Sequence, residues 1–262
     1  MARMFIFGLG YTATHLAKAL RERGWTVDAT GRAGNIDFAD ESAVQDRLSH
    51  ATHILSSVPP DRETGRDPVL DRYADAFGDS WIGYLSSTGV YGDARGAWVD
   101  ESTPTGGGRR QGRAQCDAAW LSQGALVFRL PGIYGPGRSA LDRVREGSAH
   151  RIDIPDQVFS RVHVEDIVSG VMAAIDSDAL AGAYNLADDL PCSHNRVTEE
   201  ACRLLGVKLP PLQSMDEAGL SDMARGFYAE NRRVANGKAK RVLGWRPRYP
   251  TYREGLRALL AE

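Results

Sequence analysis

The sequence predicts an α/β protein built on a doubly wound parallel sheet, and three observations predict it. The first is an apolar run at residues 4–7 that breaks into the turn GLG, followed by Ala13, Leu16, Ala17 and Leu20 on one helical face. The second is the recurrence of such runs at residues 25–30, 53–58, 81–86 and 126–130, with helical periodicity between them. The third is chirality: successive strand, helix, strand units cross over right-handedly and therefore lie parallel in one sheet.

Taken in order, the first helix spans residues 12–23 and is closed by Gly24, since glycine accepts the left-handed backbone that ends helices. The clearest later helices are residues 67–77 and 114–123. After Leu130 the alternation gives way to PGIYGPG, a helix at 164–175, and a charged C-terminal third that ends in an amphipathic helix near 252–260. Neither an internal repeat nor a low-complexity linker divides the chain, so its C-terminal part is expected to fold onto the sheet.

Composition narrows the function. A formal net charge of −2 and a pI near 6.3 over 262 residues give no bias toward nucleic acid or anionic membranes, which points to a small-molecule substrate. Only four of the 32 basic residues are lysine (Lys18, Lys208, Lys238 and Lys240), so a role needing a titratable amine has few candidates. Three cysteines without C-x-x-C spacing fit a reduced interior, and no segment reads as a signal peptide or membrane span; a cytoplasmic protein is expected. His50 and His53 lack the carboxylate or cysteine company of a metal site, and no metal is expected.

The chemistry starts at Gly8, Gly10 and Ala13, a G-x-G-x-x-A between a strand and a helix. Such a loop needs a tight turn at the first glycine, bare backbone at the second so that a pyrophosphate can approach, and a small residue where helix meets strand. Tyr11 and Thr12 belong to the same loop, and the context makes this a Rossmann-type dinucleotide site. The second strand ends ATGR. A cation there suits a ribose 2′-phosphate, so Arg32 favours NADP, with NAD as the alternative; Asp28 sits mid-strand, too early to reach the ribose.

Further along stand SSTGVYGD (86–93), FRLPGIYGPGR (128–138), SRVHVEDIVSGV (160–171), GAYNLADDLP (182–191) and NGKAKRVLGWRP (236–247). In this order, after the N-terminal loop, the set resembles the extended short-chain dehydrogenase/reductases, the NAD(P)-dependent sugar-nucleotide epimerases and dehydratases, over nearly the whole chain. The resemblance implies a seven-stranded parallel sheet carrying the cofactor and a small C-terminal lid over a substrate cleft. It divides the chain into a cofactor core at 1–130, joined by 160–190, and a substrate region at 131–159 and 191–262. It also implies that Asp37 and Phe38 bracket adenine. Ser56, Ser57 and Val58 would end the family's fourth strand beside the nicotinamide ribose, and Ser87, with Thr88 as competitor, would bind a substrate oxygen. A homodimer through the 114–123 helix is a family expectation.

The same resemblance exposes a departure. The family carries Tyr-x-x-x-Lys on the next helix, one turn apart so that both side chains face the cofactor. Here TPTGGGRRQGRAQCD puts Arg109 at the tyrosine position and Arg113 at the lysine position, and none of the nine tyrosines has a lysine four residues later. Arg113 could supply a fixed charge and a ribose donor, but Arg109 cannot be a general acid at neutral pH and falls to substrate binding. The proton would then pass through Tyr91, Tyr134, Asp93 or a water held by Ser87, and the GGG run is read as a flexible helix entry. For the substrate, Arg161 stands two residues from the family's usual diphosphate arginine, with Tyr134 and Arg138 nearby in sequence motif. Two readings follow: an NADP-dependent oxidoreductase or epimerase/dehydratase-like enzyme acting on a hydroxyl or carbonyl carbon of a sugar nucleotide or small polyol, or a catalytically inactive NADP-binding sensor or partner-binding module.

Overall fold

The computed structural model describes residues 2–108 and 111–261. From the N-terminus come β1 (Arg3–Phe7), α1 (Tyr11–Glu22), β2 (Thr26–Ala29), α2 (Glu41–Ser49), β3 (His53–Ser56), α3 (Pro68–Tyr73) and β4 (Trp81–Ser87). A 3-10 turn at Thr88–Tyr91 and the short β5 (Trp98–Val99) lead to α4 (Gln111–Ser122), β6 (Leu126–Leu130), β7 (Gly132–Tyr134) and α5 (Ala140–Arg145). Next are β8 (Arg151–Ile152), β9 (Arg161–His163), α6 (Val164–Ile175), β10 (Gly182–Asn185) and α7 (His194–Leu205). The chain ends with β11 (Leu212–Gln213), α8 (Asp222–Tyr228), β12 (Arg233–Val234), α9 (Gly237–Val242) and α10 (Tyr252–Ala261).

The central sheet is parallel throughout, in the order β10-β6-β4-β3-β1-β2, so the chain reverses its direction of travel beside β1. Ligands of such sheets bind beyond the carboxyl ends of the strands at that switch point. Alternate residues of one strand feed opposite faces: Met4 and Ile6 pack with Leu16, Leu20 and α6, whereas Phe5 and Phe7 pack with Tyr73, Tyr84 and Trp120. Burial on both faces explains why the strands read as unbroken apolar runs.

Six strands form the central sheet among the described residues, where the resemblance implied seven. Beyond β2 only an isolated parallel bridge between Thr30 and Ile36 continues the pairing. Five residues separate them, far fewer than a parallel crossover requires.

Helices α5, α7 and α10 close a separate core through Leu141, Val197, Ala201, Tyr252 and Leu256. Residues 237–245 do not join it. Ala239, Leu243 and Trp245 lie in the sheet core, and the Trp245 indole donates to the Asp166 carbonyl at 3.1 Å. No helix among the described residues is long and apolar enough to cross a membrane.

Candidate active site

At the switch point the backbone is held from three sides. Gly8 takes φ +83°, its amide donates to Thr30 Oγ1 at 3.1 Å, and the next amide, Leu9, donates to the Thr30 carbonyl at 2.8 Å. The Ser57 hydroxyl donates to the Gly8 carbonyl. A Cβ on Gly8 would stand 2.9 Å from Val58 Cγ2, and one on Gly31, itself at φ +99°, would stand 3.0 Å from the Leu9 nitrogen. The turn therefore cannot carry side chains at either glycine. Gly10 is different: its φ is −89°, and a Cβ there would meet nothing within 4 Å. It caps α1 without a side-chain acceptor and without an acidic residue in the first turn. A helix start without a side-chain cap, with open space beside Gly10, fits an anion. Ala13 is buried where α1 meets the sheet, and Thr12 is half-buried beside it. Tyr11 crosses to the PGIYGPG segment, donating to the Pro136 carbonyl at 3.0 Å under the Arg138 guanidinium at 5.5 Å.

Beyond the turn, a groove of about 410 Å³ is lined by Gly31, Gly34, Asn35, Ile36, Asp37 and Phe38. Arg32, next to Gly31, is exposed and makes no ion pair among the described residues. Asp28 accepts from Asn35 Nδ2 at 2.7 Å while Asn35 Oδ1 accepts from the Ala29 amide, so this carboxylate closes the turn. Asp37 accepts from the Ala39 amide. The Phe38 ring packs edge-on against Tyr73 and Phe7, at 5.3 and 6.2 Å. It therefore backs the groove from the core side.

At the end of β4, Ser87 Oγ accepts from the Gly89 amide at 3.1 Å and Thr88 is buried. Ser56 is buried, accepting from the Val58 amide. Arg113 on α4 lies 3.5 Å from the Tyr84 hydroxyl, the phenol of which burial pushes well above its ordinary value. Arg109 lies outside the described residues. The end of the GGG run lies in close contact with this turn: a Cβ on Gly108 would stand 2.6 Å from the Gly89 carbonyl, and one on Gly92 (φ +70°) 2.6 Å from the Gly107 carbonyl carbon.

Beneath this turn lies a buried polar network that the sequence did not reveal. Arg129 and Asp117 form a bidentate pair at 2.6 and 3.1 Å, with side chains 4% and 1% exposed. Ser86 Oγ donates to the same carboxylate at 2.6 Å, and Arg129 Nη1 donates to Tyr91 Oη at 3.0 Å. Burial lowers the Arg129 guanidinium, but Asp117 and Tyr91 together more than offset this and the net shift is upward.

Four expectations change here. Tyr91 is buried, donating to Asn185 Oδ1 at 2.8 Å while accepting from Arg129, so both capacities of its hydroxyl are committed; burial also raises it. Tyr134 packs its ring in the α5, α7, α10 core, with its hydroxyl against Gly255. Arg161 is 8% exposed, donates to Cys192 Sγ at 3.0 Å and lies 5.7 Å from the Tyr252 ring, which keeps it from a surface diphosphate. Asp93 is exposed, and its Oδ1 accepts from the Asn231 amide at 2.8 Å and the Arg95 amide at 3.0 Å, which hold the carboxyl below its usual range. His163 is buried too: its Nδ1 accepts from the Glu165 amide, and burial lowers the imidazole to about 4.

One side chain near the turn went unnoticed in the sequence. Arg232 donates to the Gly92 carbonyl at 2.6 Å and pairs with Glu230 at 2.9 Å. No motif marks it, because it arrives from the far C-terminal region.

No family model matches the chain. It is 40% identical to a functionally unknown conserved protein from Silicibacter pomeroyi, covering 100% of this chain and 99% of that one with a TM-score of 0.88. Protein YeeZ of Escherichia coli K12 is 24% identical over 284 residues, covering 95% of this chain and 97% of that protein. Two remoter structures share the fold. One is the dTDP-glucose 4,6-dehydratase of Bacillus anthracis in complex with NAD, at 15% identity, coverage of 100% and 96%, and TM-score 0.78. The other is the human epimerase family protein SDR39U1 with NADPH, at 16% identity, coverage of 99% and 99%, and TM-score 0.76.

Proposed function

The chain belongs to the family of the Silicibacter pomeroyi protein, with the fold of the extended short-chain dehydrogenase/reductases, and from that premise we propose an NADP-dependent oxidoreductase or epimerase/dehydratase-like enzyme. The observation that carries the reading is the glycine-cornered turn whose Gly10 faces open space at an uncapped helix start. A bound dinucleotide would supply a hydride donor or acceptor. The start of α1, at Thr12 and Ala13, would hold its pyrophosphate beside the bare Gly10, Arg32 its 2′-phosphate, and the groove at Asp37 and Phe38 its adenine. Ser57 and Val58 flank that path because they already touch Gly8.

On the substrate side, Ser87 stands at the carboxyl end of a central strand with its own proton free, since its oxygen accepts from Gly89. It would orient a hydroxyl or carbonyl oxygen, with Thr88 as its buried support. Arg113 would provide a fixed charge, not a proton. The burial of Arg161 argues for a small polyol or carbonyl compound over a sugar nucleotide, bound under residues 131–159 and the C-terminal segments that do not return to the sheet. One observation favours a second reading, a binding module without turnover: the nearby phenol, Tyr91, is sealed in the interior.

The test is the affinity for NADPH and NADH, followed by nicotinamide fluorescence, in the parent and in Arg32→Glu. NADPH should bind at least about tenfold more tightly, and the substitution should abolish or reverse that preference. Equal affinities in the parent would overturn the cofactor reading. Deuteride transfer from labelled NADPH to carbonyl compounds separates the enzyme from the silent binder.

A further inference from the structure

We propose that Asn35 is a positioning residue for cofactor choice: with Asp28 it clamps the turn that carries Arg32, and so holds that guanidinium where a ribose 2′-phosphate arrives. This rests on the cofactor reading proposed above. Arg32 is exposed and makes no ion pair among the described residues, so its place is set by the backbone of the turn at 31–35. Two backbone bonds close that turn, from the Gly34 amide to the Gly31 carbonyl at 2.9 Å and from the Ile36 amide to the Ala29 carbonyl at 3.1 Å. Asn35 adds two more: Oδ1 accepts from the Ala29 amide at 2.9 Å, and Nδ2 donates to Asp28 Oδ1 at 2.7 Å. One partner can only donate and the other, ionised, only accepts, which fixes the orientation of the amide. An aspartate or a leucine of the same shape could not serve both.

The clamp hangs the turn from the sheet. Asp28 lies in β2, registered against Phe5 of β1, between Val27 and Ala29, which are buried in the core. Asn35 thus ties the turn to two consecutive residues of a fixed strand. The rest of the turn is pressed close: a Cβ on Gly31 would stand 3.0 Å from the Leu9 nitrogen of the phosphate loop, and one on Gly34 2.2 Å from the Ala29 carbonyl oxygen. Arg32 is left at the apex, beside the groove that Gly31, Gly34 and Asn35 help to line. A charge-assisted bond to phosphate weakens as its distance and angle drift, and a loose turn has to be ordered anew each time the cofactor binds. NADH and NADPH share adenine and pyrophosphate and differ only in the 2′-phosphate. Loosening the turn therefore weakens NADPH and spares NADH, whereas a general loss of shape would weaken both.

The experiment measures NADPH and NADH affinities by nicotinamide fluorescence in the parent and three variants, each with its melting temperature. The parent should prefer NADPH at least about tenfold. Asn35→Ala removes both side-chain ties and Asp28→Ala removes one; each should weaken NADPH at least about fivefold and leave NADH within about twofold. Asp28→Asn keeps an oxygen that accepts from Asn35, so it should keep the parent's preference. The proposal falls if Asn35→Ala retains the parental affinities, because the backbone then holds Arg32 unaided. It falls as well if both cofactors weaken alike, because Asn35 then shapes the whole groove. Weaker NADH binding in Asp28→Asn would also overturn it, since Asp28 would then be a ribose ligand and not an anchor. Should Asn35→Ala fail to fold, Asp28→Ala and Asp28→Asn decide, and equal NADPH affinities in those two sink the clamp. A parent that binds both cofactors equally would instead overturn the cofactor reading, and the clamp with it.

Discussion

The carboxyl edge of the sheet has two halves built on opposite principles. At β1, β2 and β3 the work falls to the backbone: Gly8, Gly10 and Gly31 set the path, two hydroxyls pin it, and the charged side chain at Arg32 is exposed. At β4 and β6 side chains carry the structure, with Ser86, Tyr91, Asp117, Asn185 and Arg129 joined in one buried network. The difference shows what each half tolerates. A backbone site survives almost any change except a new Cβ, whereas the buried network fails when one partner is lost.

The sharpest way to break this contrast is Asp117→Ala, which strands the Arg129 guanidinium without water or counter-charge. Such removals cost about 3–5 kcal/mol, and urea unfolding should show a loss of that size. A loss under about 1 kcal/mol would mean that water enters the network and that the two halves do not differ as described.

Next in size is a pair of alanines in the glycine turn. Gly10→Ala meets open space at a permitted φ, so the melting temperature should hold while NADPH affinity falls by about 2–3 kcal/mol, which calorimetry can measure. Gly8→Ala, at φ +83° and 2.9 Å from Val58, should instead lose stability by about 1–2 kcal/mol. Equal effects of the two would erase the distinction between a turn that shapes and a turn that binds.

The smallest effect lies outside both halves and serves as a reference. Burial raises Asp188 to about 7, against a weaker opposing pull from Arg161. A carboxyl raised in the folded state gives stability that is complete below its unfolded pKa and is lost as pH rises through the folded value. Between pH 6 and 8 this group should therefore cost about 1.4 kcal/mol of stability, and Asp188→Asn should flatten that portion of the urea-derived profile. A parent profile that does not fall in this window would show that Asp188 is ionised throughout.

What was legible in the sequence divides along the same line. Each long strand could be read because it is buried on both faces and ends in a glycine or polar break, and Gly8, Gly10 and Ala13 because their roles depend on size alone. The seventh strand came from the resemblance, and in this chain the pairing beyond β2 stops at a single bridge between Thr30 and Ile36. Tyr91 and Arg161 were expected at the site because their motifs lie there; burial turned both inward, and burial is a tertiary property. Arg232 lies 140 residues from the carbonyl it anchors to, a distance no local pattern spans. The glycines at 106–108 looked like slack in the chain, but Gly108 touches Gly89 backbone to backbone.

That last contact has a mechanical consequence. The Gly106 amide donates to the Val90 carbonyl at 2.9 Å, and the segment through Gly108 lies flush against the turn that follows Ser87. Residues 106–108 and the turn beside Ser87 are therefore packed as one unit. A force that draws residues 106–108 outward must carry Gly89 and Gly92 with it or part the two strands of backbone. Hydrogen exchange at the Gly106 amide would time that movement: exchange in step with the Gly92 amide means that the unit moves whole, and faster exchange at Gly106 alone means that it comes apart.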